Sequence, residues 1–513
     1  MTRTGRARLT TPPGRRRWRV GAALLVALLL YGASGTDQPS SGAAGPAAVP
    51  SDAALRTAGA QALAADLRLV NYSPRDRAWE QQWTRFSPDV TAADLAAARE
   101  LGATSVRVVV FPAVLGYPVP SADELRKLRT TVELADAAGL RVWLTLFDNF
   151  GSYTDLVGSR TWTTAVLAPY ADDRRIEAVE IRNEIKPAPP AMSWARDQVA
   201  LIHGLSPTTP VTVSLNGSAD PEAYRTLLDA LGPEVPDLIS YHYYGDPGLA
   251  FDHFRRVAAA VGPVPLVVGE AGLSTAALDG RCADAACREA EQVDWYQLVV
   301  AAARQAGLSP PAPWTLLDLT PDATSRTITP AGYGYGLLRT DGSAKPAARV
   351  VSDAFAGRWT TTPQDTDFRE VTMGGLRARA WVPWRPSGTS RVEDGTGVDG
   401  APGLTVSGTE TTSAWYARPL TAVQPGQTWR AQVSARGAGV TGRTTLALVW
   451  LDGAGAYVGQ SSSAALDVSS PRWQDLSVVA TTPPGAVAVR VHLVSGGNAG
   501  TVTFSDPGWS VSG

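Results

Sequence analysis

Cysteine is nearly missing from this chain: Cys282 and Cys287, in "CADAAC", are the only two in 513 residues. Two sulfurs with no histidine nearby leave a metal's coordination shell open, so no metal site is expected there. In an exported chain the natural reading is a local disulfide. A surplus of one charge is missing too. Against 48 acidic side chains stand 46 basic ones, for a formal net charge of −2. That balance, with no basic groove motif, gives no reason to expect nucleic acid as a partner. No Gly-rich turn follows the first strand pattern, which argues against a dinucleotide-binding sheet and for no cofactor. Finally, no apolar run reaches the roughly 20 residues that a membrane span needs.

What is present is ordinary globular composition, 44% hydrophobic and 18% charged, with a surplus of aromatics: 16 Trp and 14 Tyr. Flat aromatic faces stack on the apolar faces of sugars, so this surplus favours a carbohydrate ligand. At the start, "RRRWRV" supplies positive charge, "GAALLVALLLY" an apolar core and "GASG" small residues. Residues 1–34 therefore read as a signal peptide, or as an uncleaved signal anchor, and the protein as secreted, touching a membrane only if uncleaved. No cysteine follows the apolar core to carry a lipid. Residues 35–60, rich in Ala, Gly, Ser and Pro, read as a flexible linker.

From 61 to 358 strand and helix patterns alternate. The strands run "DLRLVNYSP", "TSVRVVVFP", "LRVWLTLFD", "IEAVEIRNE", "PVTVSLNGS", "DLISYHYYG", "PLVVGEAGL" and "PWTLLDLT". Helical stretches such as "TAADLAAARELG" and "DPEAYRTLLDALG" lie between them, several opening on Ser, Thr or Asp and closing on Gly. Eight such pairs predict a (β/α)8 TIM barrel. After a short linker at 359–367, residues 368–513 show alternating strands divided by Gly, Ser and Pro turns, the pattern of an all-β jelly-roll sandwich.

Barrels of this kind place their chemistry at the carboxyl ends of the strands. Glu184, in "VEIRNEIKP", ends the fourth strand pattern, and Glu270, in "VVGEAG", ends the seventh. Asn71, Asp148, Asn149, His242, Tyr244 and Trp314 fall on the same rim, and Arg107 lies inside the second strand. One buried carboxylate can be an accident of ion pairing; two, with an arginine and a histidine beside them, read as a site. Glu180 and Arg182 lie deeper and are expected to form an internal ion pair. The sequons at Asn71 and Asn216 sit at strand ends and read as chance.

These segments resemble, in order, the retaining glycoside hydrolases of clan A, most closely the cellulase and β-mannanase family, glycoside hydrolase family 5. "RNEIKP" is similar to that family's acid/base segment, which implies that Glu184 is the acid/base and Asn183 its partner toward the sugar 2-hydroxyl. "VVGEAG" implies Glu270 as nucleophile, "YHYY" matches His242 and Tyr244, "TSVRVVV" Arg107, and "PWTLLDL" Trp314. The family's histidine ending the third strand is replaced here by "LFDNFGSY", leaving Asp148 or Asn149 to take its place at the sugar. Residues 368–513 are similar to jelly-roll carbohydrate-binding modules, with Trp429, Trp450 and Trp473 expected in the core and Trp381, Trp384, Trp415 and Tyr416 as candidate exposed aromatics.

The resemblance implies an exported retaining β-glycoside hydrolase acting on a polysaccharide or oligosaccharide, needing no cofactor and no protein partner. Retention needs two carboxyl groups about 5–5.5 Å apart across the scissile bond. The competing readings are a non-catalytic carbohydrate-binding protein on a degenerate barrel, and a transglycosylase.

Overall fold

The computed structural model describes residues 50–512, apart from 172, 216–220, 248, 278–283, 359–380, 385–388, 394, 408–412, 418–422, 424, 453–455, 469 and 498. The expected signal segment, Asn216, Cys282 and the 359–367 linker lie outside the described residues, as do the side chains of Trp381, Trp384, Trp415 and Tyr416.

Seven parallel strands form one sheet in consecutive order: β1 Leu69–Asn71, β2 Ser105–Val109, β3 Arg141–Thr145, β4 Ile176–Glu180, β5 Val211–Ser214, β6 Leu238–Tyr243 and β7 Leu266–Ala271. Their residues are buried almost throughout, as strands covered on both faces must be. The expected eighth strand is not a regular one. Its segment instead closes the barrel through a few backbone bonds on each side: Ala312 N donates to Val268 O, Ala271 N to Ala312 O and Trp314 N to Ala271 O, all at 2.8 Å, while Asn71 N donates to Pro313 O at 3.1 Å and Leu316 N to Asn71 O at 3.0 Å. Two prolines, Pro311 and Pro313, deny this stretch the donors that a full ladder requires. Helices wrap the sheet and are delimited as their sequences ask. Ser121, for example, caps Ala122–Ala137, and Gly139, at φ 73°, turns the chain just beyond its end.

The expected linker ends earlier than its composition suggests. Asp52–Ala65 is a helix capped by Ser51, because its alanine-rich text is also strong helix-forming text. Its Ala60 is fully buried in a cluster with Leu69, Trp143, Ala178 and Val267, which floors the barrel. Among the described residues no helix is long and apolar enough to cross a membrane.

Ten antiparallel strands come next: β8 Trp381–Trp384, β9 Thr389–Glu393, β10 Gly403–Ser407, β11 Ser413–Ala417, β12 Thr428–Ala438, β13 Arg443–Leu451, β14 Tyr457–Ser462, β15 Gln474–Thr481, β16 Ala488–Gly496 and β17 Thr501–Ser512. They form two five-stranded sheets, ordered β15-β12-β17-β10-β9 and β14-β13-β16-β11-β8, and bury one core between them. Trp429 and Trp450 lie in that core as expected. Trp473 does not. It is half-buried under the guanidinium of Arg436, 4.6 Å from the ring centroid.

The sandwich is docked on the barrel rather than tethered to it. Val449, Leu451 and Ala488 belong to the barrel's own buried cluster, and Leu249 packs on the sandwich core. Arg490 pairs with Asp252, and Arg255 donates to Asp452 O at 2.9 Å. Both barrel partners lie on the helix Ala250–Val261, which comes after β6. Removing residues 359–513 would uncover this apolar contact. The isolated barrel should therefore melt about 5 °C or more below the whole chain. Equal melting temperatures by calorimetry would show the sandwich to be energetically separate.

Candidate active site

The site grows from inward-facing polar positions on otherwise apolar strands. Side chains alternate along a strand, so Arg107 on β2, Thr145 on β3, Glu180 on β4 and Ser214 on β5 can share one interior layer. They do, and all four are buried. Arg107 is the hub. Its Nε donates to Glu180 Oε2 at 2.7 Å and Thr145 Oγ1 at 3.0 Å; Nη2 reaches Asn183 Oδ1 at 2.8 Å. Nη1 reaches Asn71 Oδ1 at 3.0 Å and also Glu270 Oε1. Burial opposes charge on Glu180, but Arg107, His242 and the hydrogen bonds outweigh it and hold its pKa below the ordinary carboxylate value.

This corrects the expected Glu180–Arg182 pair. The strand ends at Glu180, so the two-residue period no longer holds at Arg182. Arg182 turns to backbone carbonyls, those of Glu184 at 2.6 Å and Phe150 at 3.2 Å, with Tyr153 beneath it at 5.7 Å. Asn71 is 1% exposed and its amide donates to Gly269 O at 2.9 Å, so this sequon is a barrel-closing residue, not a surface one.

Glu184 stands past the end of β4 with φ 49°, a left-handed backbone that costs a non-glycine residue on the order of 1 kcal/mol or more. The fold holds it there: its N–H donates to Ser214 Oγ at 3.0 Å, and Ile185 N to Ser214 O at 3.0 Å. Glu270, on β7, is 4% exposed and accepts from Tyr244 Oη at 2.7 Å in addition to Arg107. Burial, then the charge of Glu270, pushes the Tyr244 pKa well above that of a free phenol, so it stays a donor.

Between the two carboxylates lies His242, fully buried. Its Nδ1 is 3.1 Å from Glu184 Oε1 and 3.3 Å from Glu270 Oε2. Burial opposes its protonation, but Glu270 and the hydrogen bond to Glu184 outweigh it and raise its pKa above the ordinary imidazole value. Ligand atoms of Glu184, His242 and Glu270 lie within 4.8 Å of one another, close enough for a metal ion. The donor set fits a proton better. Arg107 already neutralises Glu270, so a divalent cation would be pressed against a fixed guanidinium, and both carboxylates already share the histidine nitrogen.

The remaining expected residues divide. Asn183 joins the cluster, its Nδ2 donating to Asp148 Oδ1 at 3.4 Å, which brings Asp148 to its edge. Asn149 is exposed and lies beside Glu80, which pairs with Arg326. The backbone of Asn149 is left-handed, at φ 50°, within a bend just past β3. Trp314 is half-buried where the closing segment meets β7. Cys287 lies near the start of the helix Ala285–Gln305. Sequence reading misses Thr145 and Ser214, although polar residues inside apolar strands are the signal. It also misses Tyr335, whose ring packs edge-on against Tyr244 at 5.7 Å.

No family model matches the chain, and no curated protein matches it. Solved structures do. A GH5_18 protein from Streptomyces cattleya in complex with Manβ1-4GlcNAc is 17% identical with a TM-score of 0.47, over 59% of this chain and 84% of its own. An exo-β-1,4-mannosidase from Opitutaceae bacterium strain TAV5 is 18% identical with a TM-score of 0.47, over 58% and 60%. A GH2 β-galacturonidase from Eisenbergiella tayi bound to galacturonate is 17% identical with a TM-score of 0.43, over 57% and 51%. These are partial likenesses, and the barrel is established by its own strand order.

Proposed function

We propose that this protein is a retaining β-glycoside hydrolase with Glu270 as nucleophile and Glu184 as acid/base. The observation that carries the reading is the pair itself: carboxylate oxygens of the two residues within 4.8 Å across the barrel mouth. That approach is in keeping with direct attack, for which retaining pairs hold their carboxyl groups about 5–5.5 Å apart where inverting pairs hold theirs at about 6.5–9.5 Å.

The environments differ as the two roles require. Glu270, with the guanidinium of Arg107 and the hydroxyl of Tyr244 on its oxygens, is held in place to attack the anomeric carbon. Glu184, a quarter exposed and within reach of the same His242 nitrogen, carries the acid/base proton. It gives that proton to the departing oxygen, then removes one from the water that cleaves the glycosyl-enzyme. Asn183, fixed by Arg107, presents its amide to the sugar 2-hydroxyl. Asp148 and Trp314 bound the sugar site. The substrate is a β-linked polysaccharide or oligosaccharide. The chain is exported, with Cys282 and Cys287 joined and the sandwich contributing to polymer contact.

Protein recovered from the medium of an expressing cell should be assayed on aryl β-glycosides and on β-mannan and β-glucan. Its intact mass reads leader cleavage and the missing thiol hydrogens. Proton NMR of the first-formed sugar should show the β anomer. An α anomer formed first would sink the retaining mechanism. Polymer retention without turnover would instead make this a carbohydrate-binding protein on a degenerate barrel.

A further inference from the structure

Behind Tyr244 lies a buried cation that no step of the proposed chemistry uses. Lys345, 2% exposed, spends all three of its hydrogens: on Thr275 Oγ1 at 2.7 Å, Asp318 Oδ1 at 2.8 Å and Gly334 O at 3.1 Å. The same Asp318 oxygen accepts from Gly336 N at 2.8 Å, and Thr275 N donates to Gly334 O at 2.9 Å. Tyr335 is thus gripped on both sides, by groups from the loop after β7 and from the segment that closes the barrel.

The packing is as tight as the hydrogen bonding. A Cβ on Gly334 would lie 2.5 Å from Ala276 N, one on Gly336 2.1 Å from Asp318 N, and one on Gly272 2.5 Å from Trp314 O and 3.0 Å from Tyr335 Cδ1. None of these positions admits another residue without moving backbone. From the opposite side Gln292, fully buried, donates to Leu273 O at 2.9 Å and Gly336 O at 3.3 Å. What this apparatus presents is one half-exposed ring, Tyr335, edge-on against Tyr244, whose hydroxyl in turn holds Glu270.

We propose that Lys345 is a positioning residue: its ammonium pins Gly334–Gly336 to the β7 loop and so fixes Tyr335 as a wall of the site beside Tyr244 and the nucleophile. The inference rests on the glycosidase reading for what the wall faces, a sugar ring seated on Glu270. A fixed wall lowers the ordering needed on binding and keeps the Tyr244–Glu270 bond aligned. A buried Lys–Asp pair suits the task because the low dielectric around it strengthens each hydrogen bond, while losing one partner strands the other.

The test therefore removes both charges together. Lys345→Met/Asp318→Asn, Tyr335→Ala and the triple variant should be compared with wild type on an aryl β-glycoside, alongside hydrogen exchange of the backbone. Each of the first two should lower kcat/KM about tenfold, mostly through KM, and the triple should lose no more than Tyr335→Ala alone, since both act through one ring. Faster exchange should be confined to 330–337. Independent, multiplying losses would overturn the proposal, and so would a lower melting temperature with kinetics and exchange unchanged. A wild-type chain silent on every glycoside, with the exchange response still confined to 330–337, would sink the glycosidase reading while supporting the clamp.

Discussion

Glu270→Ala is expected to lower turnover of every β-glycoside by on the order of 10⁴-fold or more, because the atom that attacks the anomeric carbon is gone. Glu184→Ala should behave differently with different leaving groups. For a sugar leaving group it removes the general acid and should cost about 10²–10⁴-fold. For a dinitrophenyl glycoside, which departs without a proton, the first step should survive and a burst of dinitrophenolate should precede slow turnover. Stopped-flow absorbance separates the two variants: a burst from Glu184→Ala and none from Glu270→Ala. Folding should not obscure the comparison, since Arg107 keeps Glu180, Asn71 and Asn183 when Glu270 is lost.

Arg107→Met is the second large effect, and it falls on stability as well as rate. Five side chains place an oxygen on this one guanidinium, and two of them are buried carboxylates. Without it Glu180 and Glu270 are buried charges lacking their cation, a loss of about 3–5 kcal/mol. Arg107→Lys should recover little, because a point ammonium with three hydrogens cannot span the five acceptors. The sign of the pH dependence comes from Glu180. Its folded pKa is depressed, so its contribution is present above the unfolded value of about 4.3 and disappears as pH falls through the folded value. The gap between wild type and Arg107→Met in urea unfolding should thus be widest near neutrality and narrow below about pH 4. A gap that does not change with pH would mean that Arg107 acts by packing alone.

Much of this arrangement is legible in the sequence because the barrel writes its interior into strand text. Apolar runs that end on Asn183–Glu184 and on Glu270, with Arg107, His242 and Tyr244 on their neighbours, leave few places for charge except a shared rim. The rest depends on local physics that the two-residue period does not carry. Pairing Arg182 with Glu180 requires the strand to continue, yet it ends at Glu180, and the left-handed turn at Glu184 redirects the chain beyond it. Asn149 likewise has a left-handed backbone, within a bend just past β3. The helix Asp52–Ala65 is hidden because alanine is as frequent in linkers as in helices, and only packing under the barrel tells them apart. Tyr335 and Lys345 come from loops with no period at all. The docking of the sandwich is equally silent, since Val449, Leu451 and Ala488 look like any inward strand residues until a second domain covers them.

The most direct measurement of the central claim is the anomer formed when azide rescues each variant on an aryl β-glycoside that the wild type cleaves. In Glu184→Ala the glycosyl-enzyme still forms, and azide, needing no general base, should intercept it to give the β-glycosyl azide. In Glu270→Ala no such intermediate exists. Azide should occupy the vacated carboxylate space and attack directly to give the α-glycosyl azide. β azide from the first and α azide from the second would fix the two roles as assigned. The reverse pair would exchange the roles of Glu184 and Glu270. No azide product from either variant, with hydrolysis persisting in both, would contradict the account.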